Sequence, residues 1–167
     1  MKTRYKKTGE LQIFRTAWML SNKRSFISQV PLSSYEGSDR FLNVFAHVLS
    51  KAQGKYPHFR LYLGNVCPIT PEEHFILDHS TAEARISYSH EFKEADFGKW
   101  DTLEGELREL YSNVFPDKVG TMIMKYSKEE VREKIASLNI QYCYDLVRDG
   151  KISQATLSTV LPLLKKL

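Results

Sequence analysis

Pro71-Glu72-Glu73 and, further along the chain, Glu91-Phe92-Lys93 supply the residue types that metal-assisted cleavage of a phosphodiester needs. Carboxylate oxygens hold Mg2+, and a neighbouring lysine orients or polarises the water that attacks phosphorus. Glu72, Glu73, Glu91 and Lys93 are therefore the candidate catalytic residues of a nuclease reading, with Mg2+ as its cofactor. Between them lie His74, His79 and His90, with Asp78 nearby, a set that invites a test for a metal site. A second kind of chemistry is offered at the N-terminus, where Tyr5 is interleaved among Lys2, Arg4, Lys6 and Lys7. Such an arm can lay cations on phosphates and an aromatic ring on a base, so these residues form the candidate nucleic-acid-binding set.

The acids converge only if the chain around them folds as a sheet. Residues 59–93 read as three antiparallel strands. In Ala84-Arg85-Ile86-Ser87-Tyr88-Ser89-His90-Glu91-Phe92 apolar and polar residues alternate, the period of a strand with one buried face. With a hairpin loop at 80–83, Leu77 pairs with Ile86, Phe75 with Tyr88, and Asp78 with Arg85. The same register puts Glu72 opposite Glu91, with Lys93 at that end of the sheet. It also sends His74 and Asp78 to one face and His79 and His90 to the other. Metal ligands must meet within a few ångströms, so no histidine metal site is expected.

Around this sheet the expected order is ββαβββαβαα, a mostly antiparallel α+β domain. A basic, disordered arm (1–9) precedes a sheet domain (10–126), and a helical hairpin (127–167) packs on it. Residues 11–30 read as a first strand pair, although Leu11, Phe14 and Trp18 also fit helical spacing. A helix is expected over 38–53, capped by Ser38 and closed by Gly54. Asp101-Thr102-Leu103-Glu104 and Ser127-Lys128-Glu129-Glu130 are capping boxes for two more helices, with a strand over 119–126 between them. A last helix opens near Ser153 and must bend or restart at Pro162. Its apolar face, Leu157, Val160, Leu161, Leu164 and Leu167, either docks on the domain or meets a partner.

The order from residue 38 to 126, helix, three strands, helix, strand, is similar to the core of restriction-endonuclease-like nucleases. Their motif is Pro-Asp, a gap, then Asp/Glu-x-Lys, matched here by Pro71-Glu72 and Glu91-Phe92-Lys93 over about half the chain. Glutamate stands where that family prefers its first aspartate. Arg85 and His90 also fit the Arg-x4-His pattern of helical ribonucleases, but strand alternation would put them on opposite faces.

Composition narrows the choice. A chain of 167 residues with 42% hydrophobic and 26% charged residues can bury a core without metals or disulfides. Cys67 and Cys143 fit no metal spacing and are expected to be buried thiols. No glycine-rich phosphate loop and no Gly-x-Ser-x-Gly elbow is present. The polar, basic start and the lack of an apolar run near ~20 residues predict a cytoplasmic protein with no membrane partner. The net charge of +4 comes from the arm, but residues 1–70 still carry 11 Lys/Arg against 3 Asp/Glu. Residues 71–167 carry 13 against 17, so a fold that separates the halves would have one electropositive face. The favoured reading is a small regulatory interaction module that acts by binding an acidic partner, nucleic acid ahead of an acidic protein, without catalysis or metal. The Mg2+-dependent nuclease is the alternative, and a protein-binding inhibitor or immunity-type regulator is a third.

Overall fold

A computed structural model describes residues 2–52, 55–79, 81–116 and 125–167, with the side chains of Lys2 and Thr3 left aside. The chain begins with two helices rather than an arm and a strand. Helix α1 (Lys2–Thr8) carries Lys6 and Lys7 in its last turn, and α2 (Glu10–Leu20) carries Glu10 in its first. Both placements suit the helix dipole. Gly9 joins them at φ 79°, and a Cβ there would stand 3.4 Å from Leu61. The positive φ calls for glycine, and another residue would strain the turn. Ile13, Phe14, Ala17 and Trp18 bury one helical stripe, and this spacing outweighs the turn signals that suggested a hairpin over 11–30. Residues 25–30 form a turn held by an antiparallel bridge between Arg24 and Pro31.

Among the described residues the sheet has two strands, β1 (Phe45–His47) and β2 (Val66–Pro68). They pair antiparallel with Ala46 opposite Cys67 and His47 opposite Val66. The helix expected over 38–53 is thus replaced by a 3-10 turn, Phe41–Val44, and β1, while its expected cap, Gly54, lies outside the described residues. The cause is burial on both sides. Val44, Phe45, Ala46, Val48 and Leu49 are all buried, whereas a helix would turn some of them to solvent. The strand expected over 59–63 is a pair of 3-10 turns, Pro57–Phe59 and Leu63–Asn65, held by amides. Asn65 Oδ1 accepts the Leu49 N–H at 2.7 Å, while its Nδ2 donates to the Leu49 and Phe59 carbonyls. Asn139 Oδ1 accepts the Leu63 N–H at 2.8 Å, and its Nδ2 donates to the Leu61 carbonyl.

The two strands expected over 74–79 and 84–92 are helices α3 (Pro71–His79) and α4 (Ala82–Glu91), so the central three-stranded sheet does not form. The start of α3 explains this locally. Thr70 Oγ1 accepts the Glu73 N–H at 3.1 Å while Glu73 Oε2 accepts the Thr70 N–H at 2.8 Å, a reciprocal cap, with Pro71 at the first helical position. Tyr88 in α4 and Phe92 at its C-cap, four residues apart, pack on the core, and Ile86, which the strand register buried, is 58% exposed. Helix α5 (Phe97–Val114) starts a turn earlier than expected, because Asp96 Oδ1 accepts the Lys99 N–H. Helix α6 (Lys128–Arg148) opens on the Ser127–Glu130 box, and α7 (Gln154–Leu164) on Ser153. Pro162 sits in the last turn of α7 without ending it. The strand expected over 119–126 lies, in its residues 119–124, outside the described residues.

One cluster of buried side chains joins α2, α7 and β1 around Phe14, Trp18, Phe45, Leu157 and Val160. The apolar face of α7 therefore docks on the protein itself. The second gathers Phe59, Tyr62, Ile69, Tyr88, Trp100, Leu107 and Ile135, and half-buried Leu61 and Tyr142 touch both. No helix among the described residues is long and apolar enough to cross a membrane.

Candidate functional site

A cleft of about 420 Å3 opens where α1, α2, β1, α3, α4 and α5 meet. Most of these elements bring polar groups to it. The β1–β2 pairing fixes His47 at a strand end, the chain leaving β1 supplies Lys51, α1 turns Tyr5 inward, α3 contributes His74 and Asp78, and α4 contributes Arg85. Residues of both the basic and the acidic halves of the sequence line this cleft.

Three carboxylates, Glu10, Asp78 and Asp101, stand against Lys51, His74 and Arg85 of the cleft. Glu10 is 2% exposed; its Oε1 is ion-paired with the Lys51 ammonium and its Oε2 accepts the Thr8 hydroxyl at 2.6 Å. Burial alone would raise the Glu10 carboxyl, but the hydrogen bonds from Lys51 and Thr8 outweigh it and hold the group below its usual range. Lys51 Nζ also stands 5.5 Å from the centre of the Tyr5 ring, and the ring's edge meets Phe14.

His47 and His74 are held differently. His47 Nε2 lies 3.0 Å from the Arg60 carbonyl and 3.8 Å from Glu10 Oε1. Burial depresses its basicity first of all, the Arg60 carbonyl partly restores it, and the charges of Lys51 and His74 lower it further. The ring is therefore neutral near pH 7, with Nε2–H given to Arg60 and the lone pair left on Nδ1. His74 Nδ1 lies 3.3 Å from the Asn43 carbonyl and Nε2 lies 3.4 Å from Asp78 Oδ2, one helical turn on. Both ring nitrogens thus face acceptors, whereas only one nitrogen of His47 faces a carbonyl. Arg85 is tied to Asp101 at 3.1 Å and lies over the Phe97 ring.

The residues singled out from sequence fall in four places. Glu72, Glu91 and Lys93 are exposed, and the pairing that set Glu72 against Glu91 disappears with the hairpin. Glu73 is fully buried, where Ser25, the Thr70 N–H and Tyr88 all donate to its carboxylate, so it is an internal anchor and not part of a rim. Burial pushes the Tyr88 phenol up to about 12, so it stays a donor. Arg4, Lys6 and Lys7 are exposed on α1 and in no ion pair among the described residues, while Tyr5 is half-buried in the cleft wall; the Lys2 side chain lies outside the described residues. Of the other histidines, His79 stacks near Phe75 and His90 is exposed. Arg85 and His90 do share a helix, but five residues turn the chain through about 500°, which leaves them on different sides of it. Among the described residues no three His, Cys, Asp or Glu side chains are placed to share a metal ion. Cys67 and Cys143 are free and buried, and burial pushes the Cys67 thiol up to about 12.

Sequence reasoning passed over His47 and Lys51. The signal was present: a titratable residue inside the run Val44-Phe45-Ala46-His47-Val48-Leu49 must find polar partners if the run is buried. Comparison with protein families, with curated proteins and with solved structures returned no match to this chain.

Proposed function

We propose that the protein binds single-stranded nucleic acid along α1 and into the cleft beside it. The observation that carries this reading is the position of α1: three exposed cations with no acidic partner among the described residues, Arg4, Lys6 and Lys7, flank a tyrosine that lines a cleft holding Lys51, Arg85, His47 and His74. Cations on a helix surface contact phosphates, and a polar cleft with an aromatic wall accepts a base or a phosphate from the same strand. The cleft's own cations are ion-paired, so the sequence-independent attraction belongs to α1 and the cleft positions what arrives.

Fluorescence anisotropy with a labelled single-stranded oligonucleotide over a range of salt concentrations tests this. Replacing Arg4, Lys6 and Lys7 by glutamine changes exposed side chains that make no ion pair among the described residues. It is expected to flatten the slope of log K against log salt by about two, near 0.7 for each lost phosphate contact. An unchanged slope, or no binding by the wild-type chain, overturns the reading.

A further inference from the structure

The cleft presents two imidazoles held by different partners. His47 sits against the Arg60 carbonyl and Glu10, buried among Phe14 and Lys51, and keeps a lone pair on Nδ1. His74 sits between two acceptors, the Asn43 carbonyl and Asp78. Both line one cleft, and they are close enough for the charge on one ring to disfavour charge on the other. A ring with an unengaged nitrogen and a ring with both nitrogens set against acceptors are, in one cavity, suited to take and to give a proton. Beside them Lys51 supplies a positive charge that is half a partner to Glu10 and about a third exposed to the cleft.

We propose that this cleft cleaves RNA without a metal ion, His47 acting as general base, His74 as general acid and Lys51 as the charge that meets the phosphorane. The proposal rests on the nucleic-acid-binding reading above. In the reaction His47 Nδ1 takes the proton of a ribose 2′-hydroxyl, whose oxygen forms a bond to the adjacent phosphorus. The bond from phosphorus to the 5′-oxygen of the next nucleotide breaks, and that oxygen takes a proton from His74. The products are a 2′,3′-cyclic phosphate and a free 5′-hydroxyl. His47 then returns its proton to solvent and His74 regains one, so no oxidant, reductant or further reactant is consumed. During attack the non-bridging oxygens gain negative charge, which Lys51 is positioned to offset while Glu10 keeps it oriented. DNA lacks the 2′-hydroxyl, so the same groups would bind it and leave it intact.

The test uses the full chain with matched RNA and DNA oligonucleotides in excess EDTA, following binding by anisotropy and products by mass spectrometry. RNA is expected to give cyclic phosphate ends and DNA is expected to persist. H47Q keeps a donor for the Arg60 carbonyl and H74Q one for Asp78. Each, prepared in parallel, is expected to lose at least about 100-fold in cleavage rate with binding largely retained. H90Q, outside the cleft, is expected to cleave like the wild type. RNA that binds but is not cut overturns the catalytic proposal and leaves the binding reading standing; absence of binding overturns both. Cleavage that EDTA abolishes, or that survives in H74Q and H47Q, also overturns it.

Discussion

Thr70 and Glu73 cap one another at the start of α3: the Thr70 hydroxyl accepts the Glu73 N–H, and the Glu73 carboxylate accepts the Thr70 N–H. The same carboxylate accepts the Tyr88 hydroxyl at 3.0 Å and the Ser25 hydroxyl from a turn far away in sequence. One buried side chain thus fixes α3, α4 and the turn after α2 relative to one another, and with them His74, Asp78 and Arg85. Glu73→Ala leaves three donors unsatisfied. At roughly 1 kcal/mol or more for each, it is expected to destabilise the protein by at least about 3 kcal/mol. Chemical denaturation measures this, and a loss below about 1 kcal/mol would show that the network does not hold these elements.

Asn139 performs a similar task for the 3-10 turns before β2. It bonds the Leu63 N–H and the Leu61 carbonyl from the middle of α6 while 2% exposed. Asn139→Leu keeps the side chain's size but strands both backbone groups, which costs about 2 kcal/mol or more. Asn139→Ala should cost at least as much. If the leucine variant unfolded at the wild-type urea midpoint, the amide would be dispensable.

Stability should fall on mild acidification, in two steps. His47 binds its proton less readily folded than unfolded, because burial opposes the charge. Its contribution is complete above its ordinary value of about 6.5 and is lost as pH falls from there towards the lower folded value. Glu10, also lowered by folding, adds a second loss below about 4.5. His58, lowered by burial, acts in the same direction as His47. Urea midpoints at pH 7.5 and 5.5 should therefore differ more for the wild type than for His47→Gln, with His58 sustaining part of the difference. Equal differences in the two proteins would place His47 in solvent.

The C-terminal half of this fold was legible because its signals are local. Ser127-x-x-Glu130 and Ser153 mark helix starts that α6 and α7 use as written. Thr70-Pro-Glu-Glu73 carries the same signature with a proline at the first helical position, yet the alternation in 84–92 suggested a hairpin instead. That alternation coincides with a helical spacing in Ala84, Tyr88 and Phe92, and short runs of this kind satisfy both periods. What decided between them was the cap, a backbone matter, and the burial of Glu73, which depends on Ser25 and Tyr88 arriving from elsewhere. The site was harder to see. Glu10, His47 and Lys51 belong to different stretches of the chain and meet only because α2 packs on the β1–β2 pair. No spacing in the sequence encodes that meeting.

The placement of nucleic acid against Tyr5 is tested most directly by ultraviolet crosslinking of a bound RNA oligonucleotide, followed by mass spectrometry of the digested protein. The aromatic wall of the cleft predicts an adduct on the peptide containing Tyr5, competed away by unlabelled RNA and weakened when Arg4, Lys6 and Lys7 are replaced. Adducts confined to the exposed Tyr144 on α6, with none at Tyr5, would contradict the account.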